Sequence, residues 1–299
     1  MNAISCQNLV KSYKGTNVVD INSLEIKQGS FFGILGPNGA GKSTLINIIS
    51  SLIRPTSGSV AVFGKDIQTN VQFAKSHIGT AVQDIKLDPF LRVYEMLEYQ
   101  AGYYGIAKKD RKTEEIMHHL GLFEHRDKKS RMLSGGMQRR LVIAKALVHN
   151  PDIIILDEPT AGVDIELRVQ LWGFIRKLND DGKTIIITTH YLEEAQTLCN
   201  EIAFIKNGKI IMQNSKDVIL SILDKKTIVL HQEGRQKIEI KNQKFTVESY
   251  GNSVKINYAP SVINAMEVLL VLQQHGYEIK DFSIEVPSLD DVFSYVINS

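Results

Sequence analysis

The run Gly36-Pro37-Asn38-Gly39-Ala40-Gly41-Lys42-Ser43, with Thr44 after it, constrains this chain more than any other stretch. It fits G-x-x-x-x-G-K-[ST] and stands between a compact apolar run, Phe31 to Leu35, and a helical pattern opening near Lys42. Strand, glycine-rich turn and helix in that order make a phosphate cradle. The glycines let backbone N–H groups converge, and the helix amino terminus adds positive potential. In such a cradle Lys42 sits on the β- and γ-phosphates and the Ser43 hydroxyl ligates Mg²⁺. The chain is therefore expected to bind a nucleoside triphosphate.

Other segments support an α/β fold. Ile153 to Leu156 and Ile185 to Thr189 are short apolar runs of the kind buried on both faces of a parallel sheet. The first run ends in Asp157-Glu158, the second in His190. Ala3 to Lys11 and Val18 to Ile26 read as strands around a Lys14-Gly15 break. From about Arg92 to His149 the chain is mostly helical, and its last helix repeats apolar residues at Leu141, Ala144, Leu147 and Val148 before Asn150-Pro151 stops it. Asn207-Gly208 between Ile202–Ile205 and Lys209–Met212 predicts a two-residue hairpin.

Near Asp224 the pattern changes. Lys237 to Lys241, Phe245-Val247 and Val254-Ile256-Tyr258 alternate with period two, with Gly251-Asn252 as a turn. A helix with Val262, Ala265, Met266, Leu269 and Leu272 on one face follows, and Ser288 to Asp291 fits a loose capping box. The 299 residues thus divide unequally: 1–222 as the nucleotide-binding domain, with a helical subdomain over about 84–150, and 223–299 as a small α+β accessory domain.

Leu133-Ser134-Gly135-Gly136-Met137-Gln138-Arg139-Arg140, just before Ile153 to Glu158, resembles the signature sequence of ATP-binding cassette (ABC) ATPases. Further landmarks of that family appear in order: Gln83 after Ile78 to Val82, Ala161-Gly162-Val163-Asp164 after Glu158, and His190. The resemblance covers Ala3 to about Leu220. Met137 departs from it, since most members carry Gln there, but the serine and glycines that touch nucleotide are kept.

The resemblance implies an α/β phosphate-loop core with an antiparallel β subdomain and a helical subdomain, followed here by the small C-terminal α+β domain. It implies that Asp157 holds Mg²⁺, that Glu158 polarises the attacking water and that His190 orients water and γ-phosphate. Gln83 would contact Mg²⁺ or water, and Tyr13 would stack on adenine. Ser134, Gly135 and Gly136 would meet the γ-phosphate of ATP held by a second copy, with Asp164 organising the opposing site. An expected ATP-sandwich homodimer follows. The tail Val286-Pro287-Ser288-Leu289-Asp290-Asp291-Val292-Phe293 is similar to that of the drug-, polysaccharide- and lipid-exporter branch.

Composition narrows the partners. Lys plus Arg exceed Asp plus Glu by only 2, so the charge balance offers little to nucleic acid and none is expected. No run approaches the roughly 20 apolar residues of a membrane span, and the first residues lack a signal core. A cassette without a span is expected to work beneath a separately encoded permease, cytoplasmic and peripheral on the inner face of the membrane. The alternative is a cytosolic cassette serving translation, repair or cofactor assembly. Cys6 and Cys199 are the only cysteines and are expected to be reduced and buried. His118-His119 reads as a solvated helix face rather than a metal site.

Overall fold

The computed structural model describes the chain except residues 83–86, 163–164, 232–239, 241, 251–252, 278, 280 and 299. Two compact units emerge, Met1–Lys216 and Asp217–Ser299.

In the first unit β1 (Asn2–Tyr13) and β2 (Thr16–Lys27) form a hairpin, followed by β3 (Phe31–Leu35) and α1 (Lys42–Ile49). Lys14 and Gly15 turn the hairpin with φ of 48° and 82°, and positive values at both positions match the twist of the flanking strands. Next come β4 (Ser57–Val62), β5 (Lys65–Asp66), α2 (Val71–His77) and β6 (Ile78–Ala81). The helical stretch resolves into α3 (Val93–Tyr103), α4 (Thr113–His119) and α5 (Gly135–Leu147), with one 3-10 turn between α3 and α4 and two between α4 and α5. β7 (Ile153–Asp157), α6 (Ile165–Asp180), β8 (Thr184–Thr189), α7 (Leu192–Leu198), β9 (Glu201–Lys206) and β10 (Lys209–Ser215) complete the unit, and α8 (Lys216–Leu220) straddles the division.

Among the described residues two sheets build this unit. One is antiparallel, in the order β2-β1-β4-β5. The other runs β10-β9-β3-β8-β7-β6, with β3, β6, β7, β8 and β9 parallel. β3, β7 and β8 are buried at every position, because helices cover both faces of a parallel sheet and β-branched residues fit such a layer. A shared core joins Leu9, Ile21 and Ile26 of the antiparallel sheet to Leu45, Ile46, Ile155 and Ile186. The adjacent parallel strands β3, β8 and β7 therefore present their carboxyl ends side by side, the usual place for a site in an open α/β sheet.

The second unit pairs β11 (Lys226–His231), β12 (Phe245–Tyr250), β13 (Ser253–Tyr258) and β14 (Phe282–Glu285) in the order β12-β13-β11-β14, all antiparallel. α9 (Ala265–Gln274) lays Val268, Leu269 and Leu272 on Ile228, Leu230 and Ile256. α10 (Leu289–Asn298) starts with the reciprocal cap: Ser288 N–H donates to Asp291 Oδ2 at 2.8 Å and Asp291 N–H to Ser288 Oγ at 3.3 Å. The Ser288 hydroxyl, which donates to Asp291 Oδ2 at 2.7 Å, and then the Ser288 N–H hold the Asp291 carboxyl below its usual range. Of the alternating run Lys237 to Lys241 only Ile240 is described, and the Gly251-Asn252 turn lies outside the described residues.

Candidate functional site

Gly36 to Ser43 curls between β3 and α1 with Gly39 and Gly41 at φ of 79° and 103°. Glycine is required at Gly41 twice over, because a Cβ there would also stand 2.5 Å from the Val18 carbonyl oxygen. Lys42 is buried, and its ammonium donates to the carbonyls of Gly36 (2.7 Å) and Pro37 (3.1 Å). Burial lowers its pKa, while the charges of Glu158 and Asp157 pull it back. Pro37, Asn38, Gly39 and Ser43 are exposed, Thr44 is half-buried and Ala40 is buried.

β7 delivers the acid pair. Asp157 is buried and accepts a hydrogen bond from the Thr188 hydroxyl on neighbouring β8. Glu158 follows at φ 50°, a left-handed conformation that costs a non-glycine residue about 1–2 kcal/mol. Its N–H is held by the Thr188 carbonyl at 3.0 Å. Oε1 of Glu158 lies 3.2 Å from Nδ1 of His190, which directly follows β8. Tyr191 packs its ring 4.1 Å from that imidazole, and the Arg168 guanidinium lies over Tyr191 at 4.7 Å. Three strand ends thus meet on one cavity of about 400 Å³, lined by Asn38, Gly39, Lys42, Ser43, Thr44, Glu158 and His190. A larger surface groove of about 810 Å³ between α3 and α4 has no such convergence, and its Arg111 and Glu98 are spent on each other at 2.6 Å.

α5 opens differently. Ser134 caps it by accepting from the Met137 N–H at 3.3 Å, and Ser134 and Gly135 are exposed. A Cβ added at Gly135 or Gly136 would meet nothing within 4 Å, so this chain alone does not demand glycine there. Tyr13 ends β1 with 47% of its surface exposed and the Lys11 amine 5.0 Å from its ring centre. Gln83 and Asp164 lie outside the described residues.

Two residues to which the motifs assigned no role, Glu194 and the Arg139 of the signature run, are built into this region. Glu194 of α7 is fully buried and accepts from Trp172 Nε1 (2.9 Å) and Thr160 Oγ1 (3.1 Å), with Thr189 as a further partner. Burial raises its pKa against those hydrogen bonds. Arg139 of α5 is buried with its guanidinium against the backbone of Val82, Asp157 and Glu158. A polar residue inside an otherwise apolar helix face is the signal that could have found either.

Ser43 and Asp157 offer one hydroxyl and one carboxylate, both hard oxygen donors. Mg²⁺ characteristically takes one or two protein oxygens and fills its octahedron with phosphate and water, so this sparse set fits it. Among the described residues no group of three or more His, Cys, Asp or Glu could hold a metal by itself, His118 and His119 included.

Comparison with known proteins agrees with this geometry. A family model described as ABC transporter matches residues 19–161. The daunorubicin/doxorubicin resistance ATP-binding protein DrrA of Streptomyces peucetius is 34% identical over 97% of this chain and 91% of its own length. The Nod factor export ATP-binding protein I of Burkholderia thailandensis is 37% identical over 73% of this chain and 72% of that protein. The dimeric structure of a post-hydrolysis state of the ATP-binding cassette MJ0796 bound to ADP and Pi superposes with a TM-score of 0.66 at 30% identity, covering 71% of this chain and 98% of that one. A cradle, a glutamate and a histidine on one cavity, in a chain alignable nearly end to end with such a relative, make it a member of the ABC transporter family: an ATP-binding subunit and an ATPase.

Proposed function

We propose that this chain is the motor of an exporter, hydrolysing ATP in a head-to-tail dimer of two copies to drive a separately encoded membrane permease. The observation that carries this reading is the meeting of Lys42, Glu158 and His190 on one cavity at the phosphate cradle. ATP lays its triphosphate along Gly36 to Thr44, and Lys42 exchanges the Gly36 and Pro37 carbonyls for phosphate oxygens. Tyr13 stacks on the adenine. Ser43, Asp157 and Gln83 hold Mg²⁺, which when bound neutralises charge on the β- and γ-phosphates.

Glu158 takes the proton from the attacking water as its oxygen bonds to the γ-phosphorus and the bond to the ADP oxygen breaks. An ionised carboxylate only accepts hydrogen bonds, so His190 donates through Nδ1 and fixes the direction of Glu158. The exposed amino terminus of α5, with open space at Gly135 and Gly136, suits the γ-phosphate of ATP held by the second copy. Ser134 and Asp164 act at that shared boundary. Closure on ATP and reopening after hydrolysis move the permease between two states.

For the permease, a groove of about 640 Å³ beside the cradle, lined by Leu52, Gln100, Tyr103 and Val142 among others, is the favoured seat. Leu52 and Tyr103 are 57% and 75% exposed. No helix among the described residues is long and apolar enough to cross a membrane, which fits a subunit attached to the inner face through its permease. Export as the direction rests on the relatives, whose names carry drug resistance and Nod factor export.

The test is Glu158→Gln. Turnover should fall by about 10²- to 10⁴-fold, the usual contribution of a general base, while ATP still binds. With ATP the variant should gain dimer in light scattering, and adding Gly135→Asp should abolish that dimer. Near-normal turnover would remove Glu158 from the chemistry, and an ATP-insensitive monomer would sink the shared site. For the permease the test is co-elution in detergent with a co-expressed multi-span membrane protein encoded by a neighbouring gene, and separate elution with ATPase unaffected by that protein counts against it.

A further inference from the structure

Arg139 stands in the second turn of α5, the helix whose amino terminus carries Ser134, Gly135 and Gly136, and only 4% of it is exposed. Nη1 donates to the Val82 carbonyl at 2.9 Å, next to Gln83. Nη2 donates to the carbonyls of both Asp157 and Glu158, the latter at 2.8 Å. Those two carbonyls belong to the peptide planes on either side of the Glu158 Cα. The planes define the φ and ψ of Glu158, and with them the direction in which its carboxylate leaves the backbone. Glu158 keeps its φ of 50° only while something holds both planes. A buried guanidinium that puts Nη2 on both consecutive carbonyls, with Nη1 anchored on Val82, is such a charge-assisted clamp.

From this geometry we infer that Arg139 is a positioning residue for Glu158, and that it ties the aim of this carboxylate to the helix that closes over the second copy's nucleotide. The first part rests on Glu158 as the base and the second on the shared-site dimer, both proposed above. Arg139 gives α5 a direct polar link to the end of β7, beside the packing of α5 on β6. Hydrolysis in one site is thereby made to depend on engagement in the other.

The test compares Arg139→Lys with wild type. Lysine keeps the charge and a long stem but lacks the planar fork that joins the Val82 carbonyl to those of Asp157 and Glu158. A misplacement of about 1 Å in a catalytic group costs about 10²-fold in rate, so kcat should fall by about that factor while KM for ATP stays within about twofold. The Hill coefficient for ATP should fall toward one. In a double-mutant cycle Arg139→Lys should cost nothing further on a Glu158→Gln background, because it acts through that carboxylate. Arg139→Gln, neutral but with two N–H donors, repeats the measurement should the lysine variant unfold early in urea. Wild-type kcat in Arg139→Lys or Arg139→Gln overturns the inference, as does a loss that adds in full to that of Glu158→Gln. If Glu158→Gln itself turns over normally, the proposed base falls first, a separate and recognisable failure.

Discussion

Glu194 sits where a carboxylate is costly, wholly buried beneath the segment that carries Glu158 and His190, with Thr160, Thr189 and Trp172 donating to it and Arg168 nearby. Its folded pKa is raised by burial, whereas in the unfolded chain it titrates as an ordinary glutamate. The folded protein therefore binds this proton more tightly. Its contribution to stability is complete below the usual carboxyl range and is lost as pH rises through the raised value. Glu194→Gln, with an acceptor for Trp172 and no charge to bury, should flatten that slope and gain on wild type as pH rises; urea midpoints measured across pH check this. Lys42, Ser43 and Asp157 were legible in the sequence because neighbours along the chain define their roles. Glu194 and Arg139 were not, because their partners come from other elements: Thr160 and Trp172 for the one, Val82 and Asp157 for the other.

Elements are held to their places by close approaches as much as by apolar area. At Gly79 in β6 an added Cβ would stand 2.0 Å from the Ala146 carbonyl oxygen of α5 and 2.7 Å from the Pro151 ring. The first neighbour is backbone and cannot step aside. Gly79→Ala should therefore cost about 1–3 kcal/mol, the range for overpacking, read as a lower urea midpoint at unchanged m-value. Local rules located most elements of the first unit. Asn207 and Gly208 do turn β9 into β10, with φ of 49° and 79°, and α5 does end ahead of Asn150-Pro151. Less legible were lengths and pairing. β1 runs on to Tyr13 beyond its apolar residues because β2 supplies hydrogen bonds that hydropathy does not register. The sheet order, with β3 between β8 and β9, is set by long-range packing that no window of the sequence contains.

At the scale of the whole molecule, two units with separate cores should unfold separately. Calorimetry is expected to show two transitions, and ATP with Mg²⁺ should raise only the one belonging to Met1–Lys216, which holds the cradle. At 100 times its Kd, ATP adds about 2.7 kcal/mol to the unit that binds it. A single transition that shifts as one would mean the two units fold as a single body. Cys6 and Cys199 are both free and buried; burial pushes the Cys6 thiol up to about 12, and Cys199 moves in the same direction. A thiol held protonated and out of contact with water is a poor nucleophile. The native chain should accordingly be silent toward maleimides, and one cysteine introduced at exposed Met132, two residues before Ser134, would be the only labelled position. In the proposed dimer of identical chains that gives one dye per copy, and a single distance between the pair would follow the proposed opening and closing in real time.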